Sequence, residues 1–382
     1  MPTPTPTSSP TPTGDGILRI GTLFPASGPL AGFSAAQVAG VNAAVREINT
    51  AGGVLGAPVE IVNRDAGADG SGTAGPSFDD LVAHGVDVVI GPSSSATAQE
   101  LLPAATVASV PVISPSASGA VTDDAGWFFR LAPTDADEGD ALARLLVAAG
   151  ASHIALVHLG EEPGAATSDA LAAGLEAQDA ELVADVPGEG DAAAAVEQVS
   201  AADPDAVVLA APDGGEPTMA LISALTAAGL GGDTLWLTGA LAAYGAALPT
   251  GTLTGVTAVV PGFSPDDALR ARFLLEDPGL RNLRFAAEAY DATILAALEA
   301  TLAGDDGGAS IDRMLPAAAA GGIPCTSFGE CLDVLSTQDD IDYQGMTGPV
   351  DLDENGDLMH PGFALYGYTP ENTLAFAEWT TG

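Results

Sequence analysis

The sequence predicts an α/β protein of two similar lobes, each a mostly parallel sheet sandwiched by helices. Two observations carry this expectation. Short β-branched runs alternate with amphipathic stretches of helical length, the pattern of parallel sheets covered by helices on both faces. The alternation comes in two series, divided near "WFFRLAPTDADEGD". With 382 residues, 47% of them hydrophobic, the chain can supply a core for each.

The first series opens with "ILRIGTLF" as a strand. A helix follows from about Ser34 to Asn49, because Val38, Val41, Val45 and Ile48 fall at i, i+3, i+7 and i+10, and Gly52-Gly53 ends it. "APVEIVNRD" is the second strand, and a helix over 73–84, the strand "VDVVIG", a helix over 96–109 and the strand "VPVIS" complete the series. The second series sets helices over 135–149, 165–178, 192–202 and 216–228 against the strands "HIALVH", "AELVADV", "DAVVLAA" and "TLWLTG". Beyond it come "VTAVVPGF", helices near 265–276 and 283–303, a loop holding both cysteines and a hairpin-like end.

Ahead of all this, residues 1–15 begin with a Pro/Thr repeat. Proline fixes φ and lacks an N–H, so this stretch reads as an extended, disordered tether. Exported lipoproteins place such a tether directly after a lipid-bearing cysteine. A signal peptide and anchor cysteine cut off ahead of residue 1 are therefore expected, and the full-length gene tests this. No run of eighteen apolar residues occurs, so no segment reads as a membrane span.

Ten arginines and no lysine face 51 acidic residues, a formal charge of −41. Nucleic acid and anionic membranes are poor partners for such a field. The acidity itself reads as a solvated surface from a GC-rich or salt-adapted proteome and says little about a ligand. Cys325 and Cys331 have no histidine or third cysteine beside them to make a tetrahedral metal site. A local disulfide is favoured over a metal, which suits an oxidising, extracytoplasmic setting.

Enzyme signatures are missing: the sequence has no G-x-S-x-G elbow, Walker A loop, G-x-G-x-x-G fingerprint after a strand or H-E-x-x-H helix. The four histidines show no metal spacing. "DLDENGDLMHPG" opens like a calcium loop, with Asp351, Asp353, Asn355 and Gly356 in place, but Gly362 stands where a bidentate glutamate is required. An Asn-Gly turn joining two strands fits it better. No cofactor is implied.

What stands out is polar and uncharged. "GPSSSATAQ" follows the third strand and "VISPSASGA" the fourth, at the carboxyl ends where open α/β sheets bind ligands. The first turn leads into a helix N-terminus, whose N–H groups and dipole favour an anion, so a carboxylate fits there without lysine or arginine. The competing reading makes Ser94 or Ser95 an N-cap and Ser114–Ser118 a turn. The pairing of the two motifs on adjoining strands favours the ligand.

The chain resembles the type I periplasmic binding proteins of the branched-chain amino-acid (Leu/Ile/Val) and amide class. The likeness is carried by "IGTLFPASGPLAGFSAAQVAGVNAAVREINTAGGVLGAPVEIVNRDAGAD", "VDVVIGPSSSATAQELLPAATVASVPVISPSAS", "AEAYDATILAALEA" and "IDYQGMTGPVDLDENGD". It implies two lobes joined by a three-strand hinge and closing on a small ligand in the cleft between them. Lobe one would take 16–133 plus 261–340, and lobe two 134–260 plus 341–382. It implies a carboxylate grip by Ser95, by Ser116 through its backbone, and by Ser118 through hydroxyl and N–H. Phe33 takes the place of an aromatic that stacks on the ligand, and Tyr290 matches a tyrosine that can line the cleft, unless it is simply a packed helix aromatic.

The second lobe departs from that pattern. Amino-acid binders of the family hold the ligand ammonium with an acid after the strand corresponding to "TLWLTG", yet "GALAAYGAAL" has none, and the usual aspartate and tyrosine after "HIALVH" are missing. Asp213, or Glu161 and Glu162, could substitute. Otherwise the ligand has a carboxylate or amide and no α-ammonium, since a buried ammonium without an acceptor costs several kcal/mol.

The reading is therefore an extracytoplasmic solute-binding protein, periplasmic or a cell-surface lipoprotein. It would be a monomer that delivers an amino acid or related carboxylate to an ABC transporter permease and touches the membrane only through its anchor. A ligand-sensing receptor domain of the same fold is the alternative. An enzyme is a distant third, because no histidine lies near either serine turn in sequence to act as a base.

Overall fold

The computed structural model describes residues 13–121, 126–160, 164–211, 215–239, 248–264, 266–315, 321–338 and 340–381. The first series forms β1 (Arg19–Phe24), α1 (Ala31–Thr50), β2 (Glu60–Asp65), α2 (Ala74–Ala83), β3 (Val88–Ile90), α3 (Ser95–Ala108), β4 (Val112–Ser114) and β5 (Phe128–Arg130). These strands make a wholly parallel sheet in the order β2-β1-β3-β4-β5. β3 and β4 are buried on both faces, which is why they read as unbroken apolar runs without alternation.

The second series forms α4 (Asp135–Ala148), β6 (His153–His158), α5 (Ala165–Glu176), β7 (Glu181–Pro187), α6 (Ala192–Ala201), β8 (Ala206–Ala210), α7 (Glu216–Ala227), β9 (Leu235–Thr238) and β10 (Thr257–Pro261). α4 starts on a capping box. Thr134 Oγ1 accepts from the Asp137 N–H at 3.0 Å while Asp137 accepts from the Thr134 N–H at 2.8 Å. The remaining elements are α8 (Asp267–Glu276), α9 (Ala286–Ala303), α10 (Gly308–Met314), β11 (Ile323–Cys325), α11 (Phe328–Leu335), β12 (Ile341–Gly345), β13 (Gly348–Pro349), β14 (Gly362–Tyr368) and β15 (Leu374–Thr381). The second sheet runs β15-β14-β10-β9-β8-β6-β7, parallel from β7 to β10 and antiparallel at β14 and β15.

Each sheet has a core on both faces. In lobe one, α1 and α9 cover one face and α2 and α3 the other; in lobe two the pairs are α4 with α5 and α6 with α7. α9 is buried almost all round, and it lies close to α1 because Gly40 has no side chain. A Cβ there would stand 2.1 Å from the Ala286 carbonyl oxygen. The chain passes between the lobes three times: after β5, after β10, and between β13 and β14.

The end of the chain divides differently from the expectation that 341–382 stays in lobe two. β12 and β13 pair with β11 in a small third sheet, and Tyr343, Val350 and Leu352 sit in the core that holds α1 and α9. Only β14 and β15 join the second sheet. Asp291 of α9 is the physical reason, for it accepts hydrogen bonds from Tyr343 Oη, the Met346 N–H, the Thr347 N–H and Thr347 Oγ1 at 2.7–2.9 Å.

The "DLDENGD" loop is a turn closed by a Leu352–Leu358 bridge, with Gly356 at φ +79° and Asp353 accepting from the Asn355 and Asp357 N–H groups. Its flanking strands β13 and β14 belong to different sheets and do not pair with each other. Cys325 and Cys331 form a buried disulfide. Of the expected tether, Thr13–Asp15 are described. The N–H groups of Thr13 and Gly14 are held by Asp305, and those of Gly16 and Ile17 by Asp306.

Candidate ligand-binding site

β3 and β4 are neighbours, with Ile90 opposite Ile113, so the two serine turns leave one sheet edge side by side. Gly91 takes φ +121° there, and a Cβ would come 2.5 Å from the Leu23 carbonyl oxygen, so only glycine lets the first turn pass β1.

The serines divide their labour. Ser94 is the N-cap of α3: its Oγ accepts from the Thr97 N–H at 3.2 Å and donates to Asp69 at 2.5 Å. Ser93 is buried and donates to Gln37 Oε1 at 2.7 Å, while Gln37 Nε2 donates to Ser116 Oγ at 2.6 Å, and Ser116 Oγ donates in turn to the Ser93 carbonyl at 3.2 Å. Gln37, wholly buried on α1, thus staples the two turns together. Ser114 Oγ ties them again by donating to the Pro92 carbonyl at 2.7 Å and accepting from the Ala117 N–H at 2.9 Å.

Ser95 and Ser118 are partly exposed, and neither hydroxyl is hydrogen-bonded among the described residues. They are close to each other in space, since Ser95 Oγ lies 3.2 Å from the Cβ position of Gly119. The Ser116 N–H, expected to face a ligand, is directed at Ser114 Oγ at 3.4 Å.

Two further residues of the rim escaped the sequence reading. The Ser118 carbonyl accepts from the Asp135 N–H at 2.9 Å, and Asp135 Oδ2 lies 3.5 Å from the Cβ positions of both Gly119 and Gly164. This places a lobe-two carboxylate beside the serine turns. Its signal was the excess of acids in "TDADEGD", where the capping box needs only Asp137. Arg284 is the other. Phe33 meets Phe285 edge-on at 5.5 Å between ring centroids, and the Arg284 guanidinium carbon stands 5.1 Å from the first ring and 5.0 Å from the second. Its Nη1 reaches the Gly239 carbonyl at 3.5 Å, at the end of β9 in lobe two.

Tyr290 is packed elsewhere. Its ring is 1% exposed, and its hydroxyl donates to Glu47 at 2.6 Å and accepts from Arg272, which also pairs with Glu47. It therefore joins α1, α8 and α9, as the packed-aromatic alternative had it. Asp213, Glu161, Glu162 and residues 240–247 lie outside the described residues.

Near the second crossing, Glu288 is fully buried. One oxygen accepts from the Phe263 N–H at 2.6 Å and the other has no hydrogen-bond partner among the described residues. Desolvation pushes its carboxyl up to about 7, against the opposing pull of that N–H and of Arg284. Beside the cap of α3 a cavity of about 420 Å³ is lined by Pro25, Leu30, Asp69, Pro92, Ser93 and Ser94 among others. Ser95 and Ser118 are not among its lining residues. Among the described residues no cluster of His, Cys, Asp or Glu is arranged to hold a metal ion, and no helix is long and apolar enough to cross a membrane.

Two α/β lobes linked by three crossings, with hydroxyls left open at the strand ends of one and facing the other, define a binding protein for small solutes. The chain belongs to the periplasmic binding protein family, whose model matches residues 17–373. It is 29% identical over 351 residues to the chemotactic signal transduction system substrate-binding protein BasB of Halobacterium salinarum, covering 87% of this chain and 83% of that one. Among solved structures it is similar to the branched-chain amino acid transporter substrate binding protein LivJ of Streptococcus pneumoniae in complex with isoleucine. The TM-score is 0.68 at 22% identity, over 96% of this chain and 99% of that one. A solute binding protein of R. palustris in complex with 4-hydroxybenzoate gives 0.70 at 20% identity, over 96% and 97%. At these identities the structural likeness bears on the fold alone.

Proposed function

We propose that the protein is an extracytoplasmic solute-binding protein that captures an amino acid or related small carboxylate between its lobes and presents it to an ABC transporter permease. The carrying observation is that Ser95 and Ser118, on turns locked by Gln37, Ser93 and Ser114, keep their hydroxyls unspent. Hydrogen bonds to a charged group are worth about 1.5–3 kcal/mol each once desolvated, so a few such donors suffice for micromolar affinity. Asp135 supports an ammonium on the same ligand, in place of the acid that "GALAAYGAAL" lacks. Phe33 would cover the ligand's body.

The test is the double variant Ser95→Ala, Ser118→Ala, titrated with the ligand that native mass spectrometry finds in freshly purified protein. Binding should be lost while the melting temperature of the empty protein stays within about 2 °C. Retained binding with a large drop in stability would mean that these serines only cap.

A sensory role is the second reading, favoured by the name of the Halobacterium salinarum relative. Deleting the gene separates the two: a transport protein's loss abolishes ligand uptake, and a sensor's loss abolishes the behavioural response with uptake intact.

A further inference from the structure

We propose that Glu288 is a proton switch on the hinge, its carboxyl holding a proton while the lobes are closed and releasing it when they open. This rests on the proposed function only for lobes that close, and it uses none of the serine site.

The geometry is that of the second crossing. There Gly262 takes φ +88°, and a Cβ on it would stand 2.6 Å from Glu288 Oε1, so the chain runs directly over the carboxyl. Lobe one holds the crossing through that oxygen, which accepts from the Phe263 N–H at 2.6 Å. Lobe two holds the same three residues in turn. The Gly262 N–H donates to the Gly362 carbonyl at 3.1 Å, Trp379 meets Phe263 edge-on at 5.2 Å, and Tyr366 Oη donates to Ser264 Oγ at 2.6 Å. Turning the lobes apart rotates the backbone here, withdraws the Phe263 N–H and lets water reach the carboxyl.

The cleft touches the same point. Phe285 has a left-handed φ of +63°, a strained conformation for a bulky residue. Its ring meets Phe33 at 5.5 Å between centroids and stands 3.4 Å from the Cβ position of Gly262. One ring thus links the aromatic proposed to cover the ligand with the hinge.

Burial is what raises the Glu288 carboxyl to about 7, the Phe263 N–H and Arg284 pulling against it and Asp291 acting with it. Charged groups of the neighbouring elements are engaged elsewhere. Arg46 and Glu47 of α1 pair with Glu276 and Arg272, and Asp266 caps α8 through the Leu269 N–H. Glu378 follows β15 beside Trp379 and so points to the opposite face of the sheet. Once hydrated, the carboxyl returns toward 4.5, so closure takes up a proton between those values. The closed form is favoured fully below about 4.5 and loses that advantage as pH rises through about 7, which makes the open-to-closed ratio rise about tenfold from pH 6 to pH 8.

Small-angle scattering of the intact, empty chain at pH 6 and pH 8 tests this, in salt high enough to screen general charge repulsion. The radius of gyration should be larger at pH 8. Glu288→Gln should have the same radius at both, which separates Glu288 from Asp87, another carboxyl that burial raises to about 7. Glu288→Met removes the same titration and serves if the glutamine variant does not fold. A wild-type radius that is unchanged, or smaller at pH 8, overturns the switch whatever the variants do. A variant that keeps the wild-type pH response overturns the assignment to Glu288. No ligand enters the measurement, so its failure leaves Ser95 and Ser118 untouched, and failure of the serine test leaves the switch standing.

Discussion

Helix α9 carries two buried carboxylates three residues apart, and they are treated in opposite ways. Asp291, on the side closed by β12 and β13, has four donors on its two oxygens. Glu288, on the side of the lobe crossing, has one donor among the described residues, and its second oxygen has none there. The difference teaches what each region is for. At Asp291, where the fold is permanent, both oxygens are spent, and at Glu288, where the lobes meet, hydrogen-bonding capacity is left over among the described residues. The serine turns repeat the contrast, with Ser93, Ser94, Ser114 and Ser116 spent and Ser95 and Ser118 open.

The largest effect should come from the saturated side. Asp291→Ala strips the acceptor from two backbone N–H groups and two hydroxyls in the core. Orphaned buried donors are expensive, and breaking such a network costs about 3–5 kcal/mol. Chemical denaturation should show that loss, and hydrogen exchange should show β12 and β13 opening first. A loss below about 1 kcal/mol would mean that the four bonds add little beyond what water offers in the unfolded chain.

Glu288 should give a smaller effect of opposite sign. Its carboxyl is raised from 4.5 to about 7, so between those values the folded state holds a proton that the unfolded state releases. Stability contributed by the protonated form is therefore full below about 4.5 and lost as pH rises through about 7. Glu288→Gln removes this titration. At pH 8 the variant should be more stable than the wild type by about 2–3 kcal/mol, and at pH 4.5 the two should coincide. A pH-independent difference would mean that the carboxyl titrates normally.

How far the sequence spoke for itself follows from the same physics. Long periodic helices and apolar strands declared themselves; α1 extends only a few residues beyond the Ser34–Asn49 expected from its valines. β5, as short as β3 and β4, went unread because its run ends on an arginine, Arg130, which is buried in a pairing with Asp357. The fate of 341–358 was hidden because Asp291, some fifty residues earlier, decides where that segment lies. At the site, Ser94 as cap was legible from local rules, and the resemblance pointed to Ser95 and Ser118. Gln37, Asp135 and Arg284 were not legible, since each acts on a partner distant in sequence. Tyr290 shows the converse: a motif position alone does not tell whether a ring faces a cleft or, as here, Glu47.

The smallest and most discriminating contrast lies within a single turn. Ser114 and Ser118 are four residues apart, the same chemical group on the same strand end. Ser114→Ala leaves the Pro92 carbonyl and the Ala117 N–H unpaired in a buried place, at a cost of about 1–3 kcal/mol. It should lower the melting temperature and weaken ligand binding only indirectly, by loosening the turn. Ser118→Ala removes a hydroxyl that bonds to nothing among the described residues, so the empty protein should change by less than about 0.5 kcal/mol. Its cost should appear only with ligand present, as a weaker affinity and a smaller ligand-induced rise in melting temperature. If both variants shift the empty protein equally, Ser118 is a structural serine too, and the division between spent and open hydroxyls does not mark the binding site.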